Sequence, residues 1–403
     1  MALAPSERHR SFFKNRFMIK TLKTFSLHLP SLAVGLTFFT LSLLFGSWLG
    51  RLPEIQAALQ LSEGTLGLAL LGLPVGALCL MPFAGWLTER LPGGQAVTLS
   101  TLLFCGLFPL PALAQGPGSL FAGLFAIGLA NSFMNISMNA AAAALERTYQ
   151  LTIMSICHGM FSLGAMVGAG SSGWIATLGV PLHTHLIGVA LLMVGLHLFL
   201  RPTVAQLPDQ RSGGTSFALP PRALLGLAFI GFCIMIGEGA VADWGAIFLR
   251  KTKAASPLLA SLGYAGFSFA MALGRFAGDS IRLQLGTQRP IFLGSLIGAA
   301  GLLLAIASPW AGLSILGFTL VGLGFSTVVP LLFSAAANTP GIPSGTGIAA
   351  IASAGTIGFL IAPPLIGFIS EELGLSFGLG FVALLALSAA LASRFQSGQQ
   401  KAA

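Results

Sequence analysis

An all-α polytopic membrane protein, with twelve transmembrane helices in two pseudo-symmetric six-helix bundles, is the fold class this 403-residue chain predicts. Three observations carry it. Hydrophobic residues make up 55% of the chain and charged residues 8%, against roughly a quarter charged in a soluble domain. Twelve apolar runs of spanning length follow one another, separated by polar breaks. The Lys and Arg residues collect on alternate breaks, as they do when cytoplasmic loops retain positive charge.

The chain opens with a basic tail, residues 1–29, carrying Arg8, Arg10, Lys14, Arg16, Lys20 and Lys23. The run that follows, Pro30 to Leu49, is too long for a signal-peptide core and lacks a small-residue cleavage site, so it reads as a retained first span. Spans 2 to 12 fall near 64–87, 96–114, 119–144, 152–175, 183–200, 223–247, 258–279, 290–308, 310–334, 346–369 and 374–393. Each has about the 17–25 residues that a tilted helix needs. With the N-terminus inside, the inner segments hold the tail's six cations, then Arg90, Arg147, Arg201, Arg211, Arg222, Arg275, Arg282, Arg289, Arg394 and Lys401. The outer segments hold Arg51, Arg250, Lys251 and Lys253. Both termini are therefore expected in the cytoplasm, which requires an even number of spans. The net charge of +9 sorts by membrane side and forms no nucleic-acid patch.

The polar break at 201–222 divides the spans into a bundle at 30–200 and another at 223–394, leaving a cytoplasmic tail at 395–403. The halves repeat weakly. A shift of 194 aligns Gly128 with Gly322, Gly164 with Gly358 and Gly173 with Gly367, and a shift of 196 aligns Trp48 with Trp244. Shared order at a near-constant offset suggests a parallel repeat about the membrane normal. Cys79, Cys105, Cys157 and Cys233 fall inside apolar runs without metal-ligand spacing and read as small buried apolar residues.

Several stretches carry a resemblance. Gly85 to Gln95 reads G-W-L-T-E-R-L-P-G-G-Q, and Gly274 to Arg282 reads G-R-F-A-G-D-S-I-R. These resemble the G-x-L-a-D-R-x-G-R-R loop of the major facilitator superfamily, with Glu89 in place of Asp and the closing basic pair missing. W-L-G-R-L-P-E-I (Trp48 to Ile55), M-N-A-A-A-A-A-L-E-R (Met138 to Arg147), H-G-M-F-S-L-G (His158 to Gly164), G-E-G-A-V-A-D-W (Gly237 to Trp244) and F-L-I-A-P-P-L-I-G (Phe359 to Gly367) are similar to its MosC/YbjJ-type bacterial inner-membrane branch. That branch is distantly similar to fucose permease-like transporters. The resemblance implies secondary transport, with Glu89 and Arg90 as gating residues of the loop between spans 2 and 3.

Chemistry concentrates in spans 4, 5, 7 and 8. Asn131, Asn135 and Asn139 recur at i, i+4, i+8 and share one helix face. Three amides inside a span cannot face lipid, where an unpartnered polar group costs several kcal/mol. They read as a substrate-binding wall, or as interhelical glue worth about 1 kcal/mol per bond, with Asn139 the glue candidate. His158, roughly 10 Å into span 5, joins them as a substrate or proton site, or ties spans 4 and 5 together. His183, His185 and His197 lie near span ends and read as interfacial. Glu238, between Gly237 and Gly239 in the outer half of span 7, is the expected proton-coupling residue, because a carboxylate inside a span is costly and is retained for function. Asp243 is a second coupling candidate, or a rim gate paired with Arg51 or Arg250, and Trp244 reads as an interfacial anchor. Arg275 and Asp279, at i and i+4 on the inner end of span 8, and Glu146 with Arg147 read as conformational latches. The adjacent prolines Pro363-Pro364 should kink span 11.

The expected function is secondary transport of a small polar solute, with a sugar or sugar derivative as the candidate class, by alternating access and with proton coupling. With no mid-span cation identified, a strongly anionic solute is disfavoured. Efflux of amphipathic compounds is the alternative, since 31 Phe residues could line an apolar pocket, and a non-transporting receptor or scaffold is the remaining one. No phosphate-binding G-x-x-x-x-G-K-[ST] loop, H-E-x-x-H or G-x-S-x-G is present, so no enzyme activity and no cofactor or metal is expected. The expected partners are a small-molecule substrate, protons and the lipid bilayer, with the chain a monomer.

Overall fold

The structure is a computed structural model that describes residues 25–91, 94–209 and 219–402, without the side chains of Asp279 and residues 395–402. Most of the basic tail, the middle of the break at 201–222 and Pro92-Gly93 of the loop motif lie outside the described residues. All regular structure among the described residues is helical.

Span 1 is Leu29–Leu49, followed by a short helix Leu52–Ala58. Span 2 runs Glu63–Leu70 and Gly72–Arg90. Its break follows from Pro74, which has no N–H to offer the Leu70 carbonyl. Span 3 is Gln95–Leu107 plus a 3-10 turn Leu110–Leu113, span 4 Pro117–Tyr149, span 5 Met154–Thr177 and span 6 Leu182–Val204. Spans 7 to 9 are Leu225–Thr252, Pro257–Leu285 and Gln288–Ala307. Span 10 is Ala311–Phe325 and Val328–Ala337, broken ahead of Pro330 for the same reason as span 2. Spans 11 and 12 are Ser344–Leu373 and Leu375–Ala402. Eleven of these are long and apolar enough to cross a membrane. The other, span 5, has 24 residues, and its Gly, Ser and His content makes it the least apolar. Span 11 continues as one helix through Pro363 and Pro364.

The glycine pairs of the weak repeat occupy equivalent packing positions. A Cβ at Gly128 would collide with the Leu73 carbonyl of span 2, and one at Gly322 with the Phe267 carbonyl of span 8. Gly164 is pressed against Phe39 of span 1, and Gly358 against Phe232 of span 7. Gly173 meets Ser261 and Pro257 of span 8, and Gly367 meets Glu63 of span 2. Each contact recurs six spans later, so spans 4 on 2, 5 on 1 and 5 on 8 become 10 on 8, 11 on 7 and 11 on 2. Such close backbone approach is how helices associate where lipid removes the hydrophobic drive.

The two halves therefore meet along span 5 with span 8 and span 2 with span 11. We call the bundle end opposite the chain termini the distal end. Polar links between the halves lie there: Lys251 Nζ to Glu63 Oε1 at 2.7 Å, and the Gly64 N–H to Glu371 Oε2 at 2.9 Å. Deeper in, a Cβ at Gly67 would stand 2.5 Å from the Pro363 carbonyl oxygen.

Four sequence expectations change. Trp244 is fully buried, next to Gly367 where span 7 meets span 11, and is no interfacial anchor. His197 is buried and bonded to Thr40 Oγ1 at 3.0 Å, tying span 6 to span 1, and His185 is buried as well. Glu146 accepts the Ile153 and Met154 N–H groups at 2.7 and 2.9 Å, so it caps span 5, whose first N–H groups need an acceptor. Cys79 is exposed, unlike the other three cysteines.

Candidate functional site

Helix rise places the polar residues of four spans at two neighbouring levels. Counting about 1.5 Å per residue from the distal end of each helix, Asn131 of span 4 and Glu238 of span 7 lie about 21 Å down. Asn135 of span 4, His158 of span 5 and Arg275 of span 8 lie about 27–29 Å down by the same rise. Asp243 lies higher, about 14 Å from the distal end. Glu238 thus sits at the middle of its helix rather than in the outer half.

Span 4 buries Leu120, Leu124, Ile127, Met134, Met138 and Leu145. Asn131, half-buried, lies on that same stripe, seven residues from both Leu124 and Met138, and Asn135, exposed, and Asn139, half-buried, turn progressively to its flank. The Asn139 amide donates to the Asn135 carbonyl at 2.8 Å and to Asn135 Oδ1 at 3.1 Å. Asn139 therefore binds its own helix and glues no other span, while fixing the orientation of Asn135. His158 is exposed and meets Phe38 edge-on at 5.3 Å between ring centroids. Its other expected role, tying span 5 to span 4, has no hydrogen bond among the described residues.

On the second half, Glu238, Asp243 and Arg275 are half-buried, and none has a hydrogen-bond partner or an ion pair among the described residues. Arg275 is within electrostatic reach of both His158 and Glu238. Tyr264 is in electrostatic reach of Glu238, Asp243 and Arg275. Asp243 does not pair with Arg51 or Arg250. Arg51 is taken by Glu54 at 2.6 Å and the Val180 carbonyl at 2.9 Å, and Arg250 by the Ala255 carbonyl at 2.6 Å.

Arg275 is the main departure from the sequence reading. It lies near the inner end of the membrane-length part of span 8, Pro257–Gly278, within electrostatic reach of His158 and Glu238, groups not expected beside it. The side chain of its expected partner Asp279 lies outside the described residues. Tyr264 was missed altogether. A signal existed: Tyr264, Ser268 and Arg275 are separated by four and seven residues, one face of a 3.6-residue helix. At the loop after span 2, Arg90 stacks over the Trp86 ring at 4.3 Å, and Glu89 is exposed on the same last turn.

Two six-helix halves that share their backbone contacts, with polar groups of both halves at the same depth, define a membrane transporter fold. The sequence profile of the Major Facilitator Superfamily matches residues 31–342, and the chain belongs to that family, whose members are transporters and not enzymes. An uncharacterised MFS-type transporter of Yersinia pestis is 34% identical over 359 residues, covering 89% of this chain and 94% of its own length. Membrane protein MosC of Rhizobium meliloti is 30% identical over 376 residues, covering 91% of each. Among solved structures, a bacterial homologue of the human lysosomal transporter Spinster, in an inward-facing and occupied conformation, superposes with a TM-score of 0.73 at 14% identity, over 93% of this chain and 97% of that one. A point mutant of the nucleoside transporter NupG gives 0.71 at 16% identity, over 91% and 99%. These structural likenesses speak to the fold alone.

Proposed function

We propose that this chain carries a small polar solute, a sugar or sugar derivative, across a bacterial inner membrane by alternating access, with a proton carried on Glu238. The observation that carries the reading is the placement of Asn131, Asn135, His158, Glu238 and Arg275 within one band about 8 Å deep, drawn from four spans and both halves. Amides and charges at mid-span are costly against lipid, so this level is read as the wall of a water-filled site between the halves. Asn131, Asn135 and His158 contact the solute. Asp243 is the second carboxylate on the proton's route, and Glu89 with Arg90 gates the loop after span 2. Both termini are cytoplasmic, by the distribution of Lys and Arg. The distal end is then periplasmic and held shut by Lys251–Glu63 and Gly64–Glu371, a state open to the cytoplasm. The working unit is a monomer. NupG, named as a nucleoside transporter, is a precedent for a small polar solute on this fold.

The test is internal pH in proteoliposomes containing wild type or Glu238→Gln, across small sugars, sugar acids, polyols and amines. Solute-driven proton flux lost in the variant is expected. Solute movement without proton flux in either protein would leave transport and remove the coupling. A second reading, efflux of amphipathic compounds, is favoured by an apolar pocket between spans 7 and 11, lined by Phe229, Phe232, Ala354 and Ile357. Inhibition of flux by lipophilic cations, without competition by sugars, would select it.

A further inference from the structure

The sequence reading found no cation at mid-span and so set anionic solutes aside, whereas Arg275 stands at the polar level. Its chain neighbours bracket the direction in which it emerges. Gly274 is pressed against Ser326 of span 10, and the Phe276 ring covers Gly159 of span 5. Arg275 leaves the helix between those two contacts, toward the seam, where His158 and Glu238 are in electrostatic reach. Arg147, Arg250, Lys251 and Arg282 sit near the ends of these same four spans, leaving Arg275 as their one cation at this level. It has no hydrogen bond and no ion pair within 4 Å among the described residues. A half-buried cation without a close partner is a costly arrangement to maintain.

We propose that Arg275 receives the carboxylate of a small monoanionic solute, a hydroxylated acid of the sugar-acid kind. The planar guanidinium matches a carboxylate through two parallel N–H···O bonds. One cation at the level sets the charge: a second negative group on the solute would be left unbalanced. Asn135, at the same depth and exposed, is placed for the solute's hydroxyls. Glu238 balances Arg275 in the empty site. When the solute carboxylate arrives, a proton on Glu238 removes the competing negative charge, so one carboxylate and one proton enter together and the charge of the site is unchanged. Among the described residues the other groups facing this pair are His158 of span 5, Tyr264 of span 8 and Asp243 above Glu238, while the Asp279 side chain, four residues beyond Arg275, lies outside them. Ser326 and Thr327 of span 10 do not titrate, Glu371 and Glu372 stand at the end of span 11, and Arg394 closes the membrane-length part of span 12. This inference deepens the transport reading and rests on it.

The experiment uses matched pairs, gluconate with glucose and glycerate with glycerol, imposed as gradients on proteoliposomes holding full-length protein. Labelled uptake and lumenal pH are read together, with empty liposomes as the blank. Wild type is expected to take up the acids with lumenal acidification and to leave their neutral partners at the blank. Arg275→Gln should raise KM for the acids at least tenfold, and Arg275→Lys should recover part of that. Size-exclusion profiles and thermal unfolding establish that both variants fold, and acid-induced protection of wild type against heat, absent in Arg275→Gln, reads binding without flux. Uptake of the neutral partners by wild type and Arg275→Gln alike would overturn the carboxylate inference and leave transport standing. Neither uptake nor thermal protection by any member of the pairs, in folded wild type, would overturn both.

Discussion

The two halves of this protein are alike in how their helices touch and unlike in what they present to the seam. Gly164 and Gly358 hold spans 1 and 5, and spans 7 and 11, at the same close approach. The chemistry is not repeated. Asn135 and His158 of the first half correspond, at offsets of 194 to 196, to Val329–Leu331 and Ala352–Ala354. Glu238 and Arg275 correspond to Ser42–Leu44 and Cys79–Met81. One half supplies neutral donors and acceptors, and the other supplies the charges. Backbone packing constrains both copies of a repeat equally, because helices must close against each other in each half. A single site between the halves needs each functional group only once, so the copies are free to diverge there. The difference suggests a division of labour in which the first half reads the solute and the second handles charge.

Six variants sharpen or break that comparison. The largest effect is expected from Glu238→Gln, which should bring solute-driven proton flux to the level of empty liposomes while solute exchange persists. If Asn135→Ala abolished proton flux just as completely, the division between the halves would fail. Next come Gly164→Leu and Gly358→Leu. Overpacking a tight contact costs about 1–3 kcal/mol, and thermal unfolding in detergent should show similar losses for the two. A large loss on one side only would mean that the shared contacts do not carry shared weight. Asn135→Ala itself should raise the KM for solute about tenfold, the equivalent of one lost hydrogen bond of about 1.4 kcal/mol, with little change in maximal rate. Asn139→Ala should do less, since its amide is spent on Asn135. The smallest effect is expected from Lys251→Met at the distal closure. The Lys251 side chain is 48% exposed, so the pair contributes under ~1 kcal/mol. Labelling of a cysteine introduced behind the closure, from the distal side, should rise by no more than about fivefold. A much larger rise would make this pair the main lock rather than one of several.

Much of the fold was legible because it is written in local terms. Apolar length gave the spans, and paired glycines gave the repeat. Even there, span 5 shows the limit: its Gly, Ser and His residues dilute the apolar signal while close packing on spans 1 and 8 makes use of them. Trp244 and His197 show it again. Both sit where an interfacial role is plausible from position along the chain, and both are buried by neighbours from distant sequence.

The candidate site divides the same way. The sequence alone determined that polar residues occur inside spans 4, 5 and 7, because a period of 3.6 and a span length are properties of one helix. It also carried Tyr264, Ser268 and Arg275 on one face of span 8, with Arg275 at the inner end of the expected span. Only the tertiary structure decided that Arg275 stands level with His158 and within reach of Glu238. That depends on the register at which span 8 packs against span 5. Register between helices is set by contacts such as Phe276 on Gly159, which join residues more than a hundred positions apart and leave no periodic trace in the chain.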